Sequence, residues 1–141
     1  MTRSAFRPAA GVVALACLLL SAAPARAEYL QIDIHVYGLD CDLCARGASA
    51  SIQRMAGVKS VDVSVKTGTL SIALTPGNGF KMSDLRKRIK DNGFRPMDAT
   101  VKAVGRFSGQ RFEVSNAGES YDVRPVATDT GTLERTFAIP R

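Results

Sequence analysis

The stretch LQIDIHVYGLDCDLCARGASASIQRM, residues 30–55, changes its hydrophobic period part-way along, and that change decides the fold. Leu30, Ile32, Ile34 and Val36 alternate with Gln31, Asp33, His35 and Tyr37. A period of two is the pattern of a strand with one face buried. Gly38 ends it, and a short loop carries Cys41. From Asp42 the apolar or small residues Cys44, Ala48, Ile52 and Met55 recur every three or four positions. That spacing places them along one face of a helix. Arg46, Ser49, Gln53 and Arg54 take the other faces. Asp42, in the first turn, suits the positive end of the helix dipole, and Gly57 is a typical stop.

Further along, Val61, Val63 and Val65 alternate, the turn Lys66-Thr67-Gly68-Thr69 follows, and Leu70, Ile72 and Leu74 alternate again. This reads as a β-hairpin. After the loop Thr75–Gly79, the residues Met82, Leu85 and Ile89 mark a second amphipathic helix, with Ser83 as the expected N-cap and Gly93 beyond its end. The chain is extended from Phe94, with Pro96 keeping the start of any strand at an edge or out of the ladder. The order β-α-β-β-α-β predicts an α+β ferredoxin-like sandwich over residues 28–104, two helices covering one face of a four-stranded antiparallel sheet. Residues 105–141 read as a β-rich extension. The strand candidates around and within it are Val101–Phe107, Arg111–Val114, Tyr121–Val123 and Leu133–Ile139; it is too small for a core of its own, and it either packs on the sheet or continues the fourth strand.

The first 27 residues read as a secretory signal peptide. Arg3 and Arg7 form the basic start, Ala9–Leu20 the apolar centre, and Ala25-Arg26-Ala27 the small-x-small cleavage site. The apolar run is too short to span a bilayer stably. An acylation site ending at Cys17 fits poorly, because Leu18–Leu20 continue the apolar run beyond it. Cleavage after Ala27 predicts a periplasmic or secreted protein that does not span the membrane. Three arginines leave with the leader, which halves the formal net charge of +6. The one dense basic run, Arg86-Lys87-Arg88 with Lys90, lies on the polar face of the second helix with few aromatics interleaved. A solvated face is expected there, and no nucleic-acid partner.

Of three cysteines, only Cys41 and Cys44 remain after cleavage. A bridge across two intervening residues closes a very small loop and restricts the unfolded chain little. The pair is better suited to redox or metal chemistry. With one cysteine in the loop and one in the first helical turn, both sulfurs can converge at helix N–H groups that favour the thiolate. Thiolates suit soft ions such as Cu(I), Cd(II) and Hg(II), and also Zn(II). Two of them can hold a two-coordinate ion but leave a tetrahedral Zn(II) short of ligands. No paired acid and base, phosphate-binding glycine loop or activated serine is present, so no enzymatic activity is expected.

The segment Gly38-Leu39-Asp40-Cys41-Asp42-Leu43-Cys44 resembles the Gly-Met-x-Cys-x-x-Cys motif of the heavy-metal-associated domain. That family includes metallochaperones, periplasmic mercury-binding proteins and the N-terminal modules of metal-exporting P-type ATPases. Ala48, Ile52, Met55, Gly57-Val58 and Gly93-Phe94 extend the resemblance across residues 29–104. It implies that Cys41 and Cys44 bind one metal ion and pass it to a membrane metal transporter or another metal-binding domain. It also implies that Phe94 shields the loop or packs in the core. Two positions depart from the motif. Leu39 replaces a methionine that packs under the loop. Asp40 resembles the carboxylate of zinc, cadmium and lead exporters, where it assists coordination; the alternative is a loop carboxylate bonding backbone N–H groups. Asp42 is either a helix first-turn acid or added charge favouring a divalent ion. His35, on the polar sheet face, reaches a metal only if the extension folds over that face. Two other functions stay open: a thiol–disulfide redox protein, and an interaction domain whose cysteines are simply oxidised.

Overall fold

The computed structural model describes residues 27–123 and 131–141; the signal peptide expected over residues 1–27 lies outside them apart from Ala27. Among the described residues, seven strands and two helices follow in the order β1 (Tyr29–Tyr37), α1 (Asp42–Gln53), β2 (Val58–Ser64), β3 (Thr69–Leu74), α2 (Met82–Asp91), β4 (Arg95–Ser108), β5 (Arg111–Val114), β6 (Glu119–Asp122) and β7 (Thr132–Ile139). The first four strands lie in the order β2-β3-β1-β4, all antiparallel. This is the ferredoxin-like arrangement expected from the β-α-β-β-α-β order.

The register explains where the core sits. Ile32 lies between Ile72 and Val101, and Ile34 between Leu70 and Ala99. These two rows point to one face, and none of the six residues is more than 2% exposed. Ala45, Ala48 and Ile52 of α1 and Met82, Leu85 and Ile89 of α2 are buried in the same core. Each large aliphatic side chain removed from water in this way contributes about 1.5–3 kcal/mol. The alternation of β1 holds from Ile32 onward but not before it. A register shift between Tyr29 and Gln31 turns Tyr29 into the core, and Leu30 is only partly buried.

Strand β4 carries both halves of the chain. The boundary expected at 104/105 falls inside it, so the extension continues the sheet. Along one edge, β4 pairs with β1 as far as Ala103 and then with β5 at Arg106–Ser108. Backbone bonds from Val104 N–H to Glu28 O (2.8 Å) and from Asn116 N–H to Ala27 O (2.9 Å) stitch that junction. Strand β6 adds to β5, and β7 covers the opposite edge of β4 from Ala99 to Arg106. Pro96 faces Val36 beyond the end of β7, where its missing N–H breaks no ladder.

The extension also shares the core. Phe112, Val114, Ala117, Phe137 and Ile139 join the hydrophobic cluster of the first four strands. Phe112 makes edge-on contacts with Phe107 (5.3 Å between ring centroids) and Phe137 (5.4 Å). Gly105 makes this crossing possible, because a Cβ there would stand 2.7 Å from the Phe112 ring.

Ser83 is not the N-cap of α2. Lys81 occupies that position and supplies no side-chain hydrogen bond. The capping group comes from β6: Glu119 accepts the N–H groups of Met82 (2.9 Å) and Ser83 (3.0 Å). Its carboxylate also accepts the hydroxyls of Tyr29 (2.6 Å) and Tyr121 (3.1 Å). Among the described residues, no helix is long and apolar enough to cross a membrane.

Candidate metal site

The site lies where β1 ends and α1 begins. Cys41 is the N-cap of α1, with extended backbone angles, and its sulfur accepts the Cys44 N–H at 3.0 Å. Cys44 follows in the first turn, and its Cα is 5.2 Å from that of Cys41. The two sulfurs are joined as a disulfide, which places both at one point at the helix entrance. Both residues are partly exposed. Reduced, the pair would present two thiolates beside helix N–H groups, an arrangement that stabilises sulfur anions.

The loop beneath the sulfurs is held by packing. Leu39, at the motif's methionine position, is 2% exposed and belongs to the core. Gly38 has a positive φ of 92°, a conformation glycine adopts without strain. The half-buried Phe94 ring lies 3.6 Å from where a Gly38 Cβ would stand, so the aromatic residue after α2 packs against the loop. Behind the loop, Val36 N–H donates to Gly68 O at 2.8 Å and ties it to the β2–β3 turn.

The surface around the sulfurs is acidic and partly apolar. Asp40 and Asp42 are exposed on either side of Cys41. Leu43, between the cysteines, is 80% exposed, and Tyr37 is 70% exposed with the Arg95 guanidinium over its ring. A groove between α1 and β2 begins at Asp42 and continues past Arg46, Ser49 and Asp62. The structure brings the two sulfurs together, with the Asp40 carboxylate next in the chain. Among the described residues, no three Cys, His, Asp or Glu side chains form a metal-holding group. His35 is exposed on the opposite sheet face, and its Nδ1 lies 3.3 Å from the Thr69 hydroxyl.

Leu43, which projects into solvent, was not singled out from the sequence. Its place between the two cysteines, off the buried stripe of Ala45, Ala48 and Ile52, is the signal that could have found it. The Tyr29–Glu119–Tyr121 cluster had no local signal, because Tyr29 and Glu119 are 90 residues apart.

Residues 33–95 match the family model of the heavy-metal-associated domain. No curated protein matches the chain. Among solved structures, a copper-binding domain from HMA7, a P-type ATPase, is 24% identical, covers 51% of this chain and 92% of its own, and has a TM-score of 0.44. Oxidized MerP from Ralstonia metallidurans CH34 is 23% identical over 47% of this chain and 90% of its own, with a TM-score of 0.43. The yeast copper transporter domain CCC2A is 21% identical over 48% and 90%, with a TM-score of 0.44.

Proposed function

From the premise that residues 33–95 form a heavy-metal-associated domain, we propose that the protein is exported, binds one soft metal ion through Cys41 and Cys44, and passes it to a partner. One observation carries this reading: the two sulfurs converge at the N-terminus of α1, one of them as its cap. Two thiolates satisfy a two-coordinate soft ion and leave a larger coordination shell incomplete. An incomplete, exposed shell lets an incoming ligand enter before the first ligands leave, and that suits transfer. Leu43, protruding between the cysteines, offers such a partner an apolar contact. A membrane metal transporter or a second metal-binding domain would supply the receiving thiolates.

Asp40 is proposed as an accessory ligand for divalent ions. A hard carboxylate oxygen adds to the site's affinity for Zn(II) and Cd(II) and little to that for Cu(I). In an oxidising compartment the pair takes metal only after the disulfide has gained two electrons and two protons, or if the dithiol was metallated before it oxidised.

The test is competitive metal binding to reduced residues 28–141. One Zn(II), Cd(II), Cu(I) or Hg(II) should bind per chain, and Cys41→Ser or Cys44→Ser should abolish tight binding. Asp40→Ala should weaken Zn(II) far more than Cu(I); equal effects would remove the carboxylate from the ligand set. Absence of stoichiometric binding to any of the four ions would overturn the metal reading. The bonded sulfurs favour a second function, thiol–disulfide exchange, and a measured reduction potential with an insulin-reduction assay separates the two.

A further inference from the structure

We infer that Glu119 is the pin of an acid-released latch, which holds the β5–β6 hairpin against the first turn of α2. Helix α2 brings no side-chain cap of its own, since Lys81 stands at its N-cap without a side-chain capping hydrogen bond. Its first free N–H groups are taken by Glu119, across 36 and 37 residues of chain. The same carboxylate receives both tyrosine hydroxyls, and the Tyr29 and Tyr121 oxygens are themselves 2.6 Å apart. One ionised side chain therefore joins β1, β6 and α2.

The arrangement depends on charge. An ionised carboxylate only accepts hydrogen bonds, and here it faces two backbone N–H groups and two hydroxyls. Protonation puts a hydrogen on a carboxyl that caps backbone N–H groups; a phenol oxygen can turn to accept it, but the Met82 and Ser83 N–H groups cannot. It also removes the negative charge from the positive end of the helix dipole. Burial of Glu119 works to raise its pKa, but the bonds from Tyr29 and from the Ser83 and Met82 N–H groups outweigh it and hold the carboxyl below its ordinary range. Burial pushes the Tyr121 phenol up to about 12 and, with the bond to Glu119, raises Tyr29 further. Glu119 is thus the member of the trio that titrates on acidification.

The surrounding charges come from several elements. Arg86 of α2 acts on Tyr121, Asp84 lies in the first turn of α2, and Lys81 precedes it. Glu113 of β5 lines the same shallow depression as Glu119. Because the folded-state pKa is depressed, the stabilisation is present above the unfolded carboxylate's pKa. It is lost as pH falls through the lower, folded value. The latch is closed at neutral pH and opens in acid.

The test is an NMR titration of the processed protein, following the Glu119 side-chain carboxyl carbon together with the Met82 and Ser83 amides. The carboxyl should titrate below the ordinary Glu range, and both amides should shift with the same midpoint. Their hydrogen exchange, corrected for intrinsic rate, should rise roughly five- to tenfold on the acid side, the scale of losing one N-cap. Glu119→Gln should show the acid-side exchange already at neutral pH and no step on acidification. Amides that ignore the Glu119 titration, or a Gln variant matching the parent at neutral pH, would overturn the latch. If the variant does not fold, the titration of the unmodified protein decides alone.

Discussion

The sulfur of Cys41 accepts the backbone N–H of Cys44 at 3.0 Å, so one cysteine caps the helix on which the other is carried. The proposed ligand and the helix cap are thus the same atom, and substitutions can separate the two roles. Serine is a preferred N-cap, so Cys41→Ser should lose tight metal binding and keep the fold. Cys41→Ala should lose tight binding and also about 1 kcal/mol of stability. Cys44→Ser removes a sulfur but leaves the backbone N–H in place. Urea denaturation of the reduced proteins, beside equilibrium metal binding, checks all three. Equal destabilisation by Ser and Ala at position 41 would show that the sulfur does not cap.

Metal should stabilise the reduced fold through mass action. A soft ion held at about a hundred times its Kd adds about 2.7 kcal/mol if the unfolded chain binds none. The gain should shrink as pH falls, because protons compete for the thiolates. Thermal melts of reduced protein with and without Cd(II), repeated across pH, measure it. The disulfide form should show no gain.

Gly105→Ala should destabilise the protein far more than a glycine-to-alanine change in an ordinary strand. The new Cβ would stand 2.7 Å from the Phe112 ring and would also meet the Glu113 carbonyl. Overpacking of this kind costs about 1–3 kcal/mol, and a backbone neighbour yields less readily than a side chain. A lowered urea midpoint at unchanged slope is the expected result.

Phe112→Ala should cost about 3–5 kcal/mol, the range for deleting a buried aromatic ring. Phe112 is fully buried and touches Phe107 of β4 and Phe137 of β7. If the extension shares one core with the first four strands, unfolding of the variant should remain a single transition at a lower midpoint. Two separate transitions would mean that the extension melts on its own.

The parts of the fold governed by local period were legible in the sequence. Ile32, Ile34 and Val36 on β1 and Leu85 and Ile89 on α2 are buried where alternation and helical spacing put them. The sulfurs were legible for the same reason, since two intervening residues and a helix start bring them together regardless of the rest of the chain. What escaped depends on distant partners. Tyr29 turns inward because a register shift precedes Gln31 and its hydroxyl finds Glu119. Ser83 looked like a cap because Ser is a capping residue, but the cap came from β6. The boundary set at 104/105 fell inside β4 because the place where its partner changes from β1 to β5 has no local mark in the sequence.

Strand β1 has a bonding pole and a chemical pole. Tyr29 at its start is pinned to the β5–β6 hairpin, while Tyr37 at its end leads into the cysteine loop. A strand of that length separates the two by about 26 Å. On the proposed metal-transfer reading, a visitor to the sulfurs meets neither β5 nor β6, and the added strands brace the extremity away from the exchange.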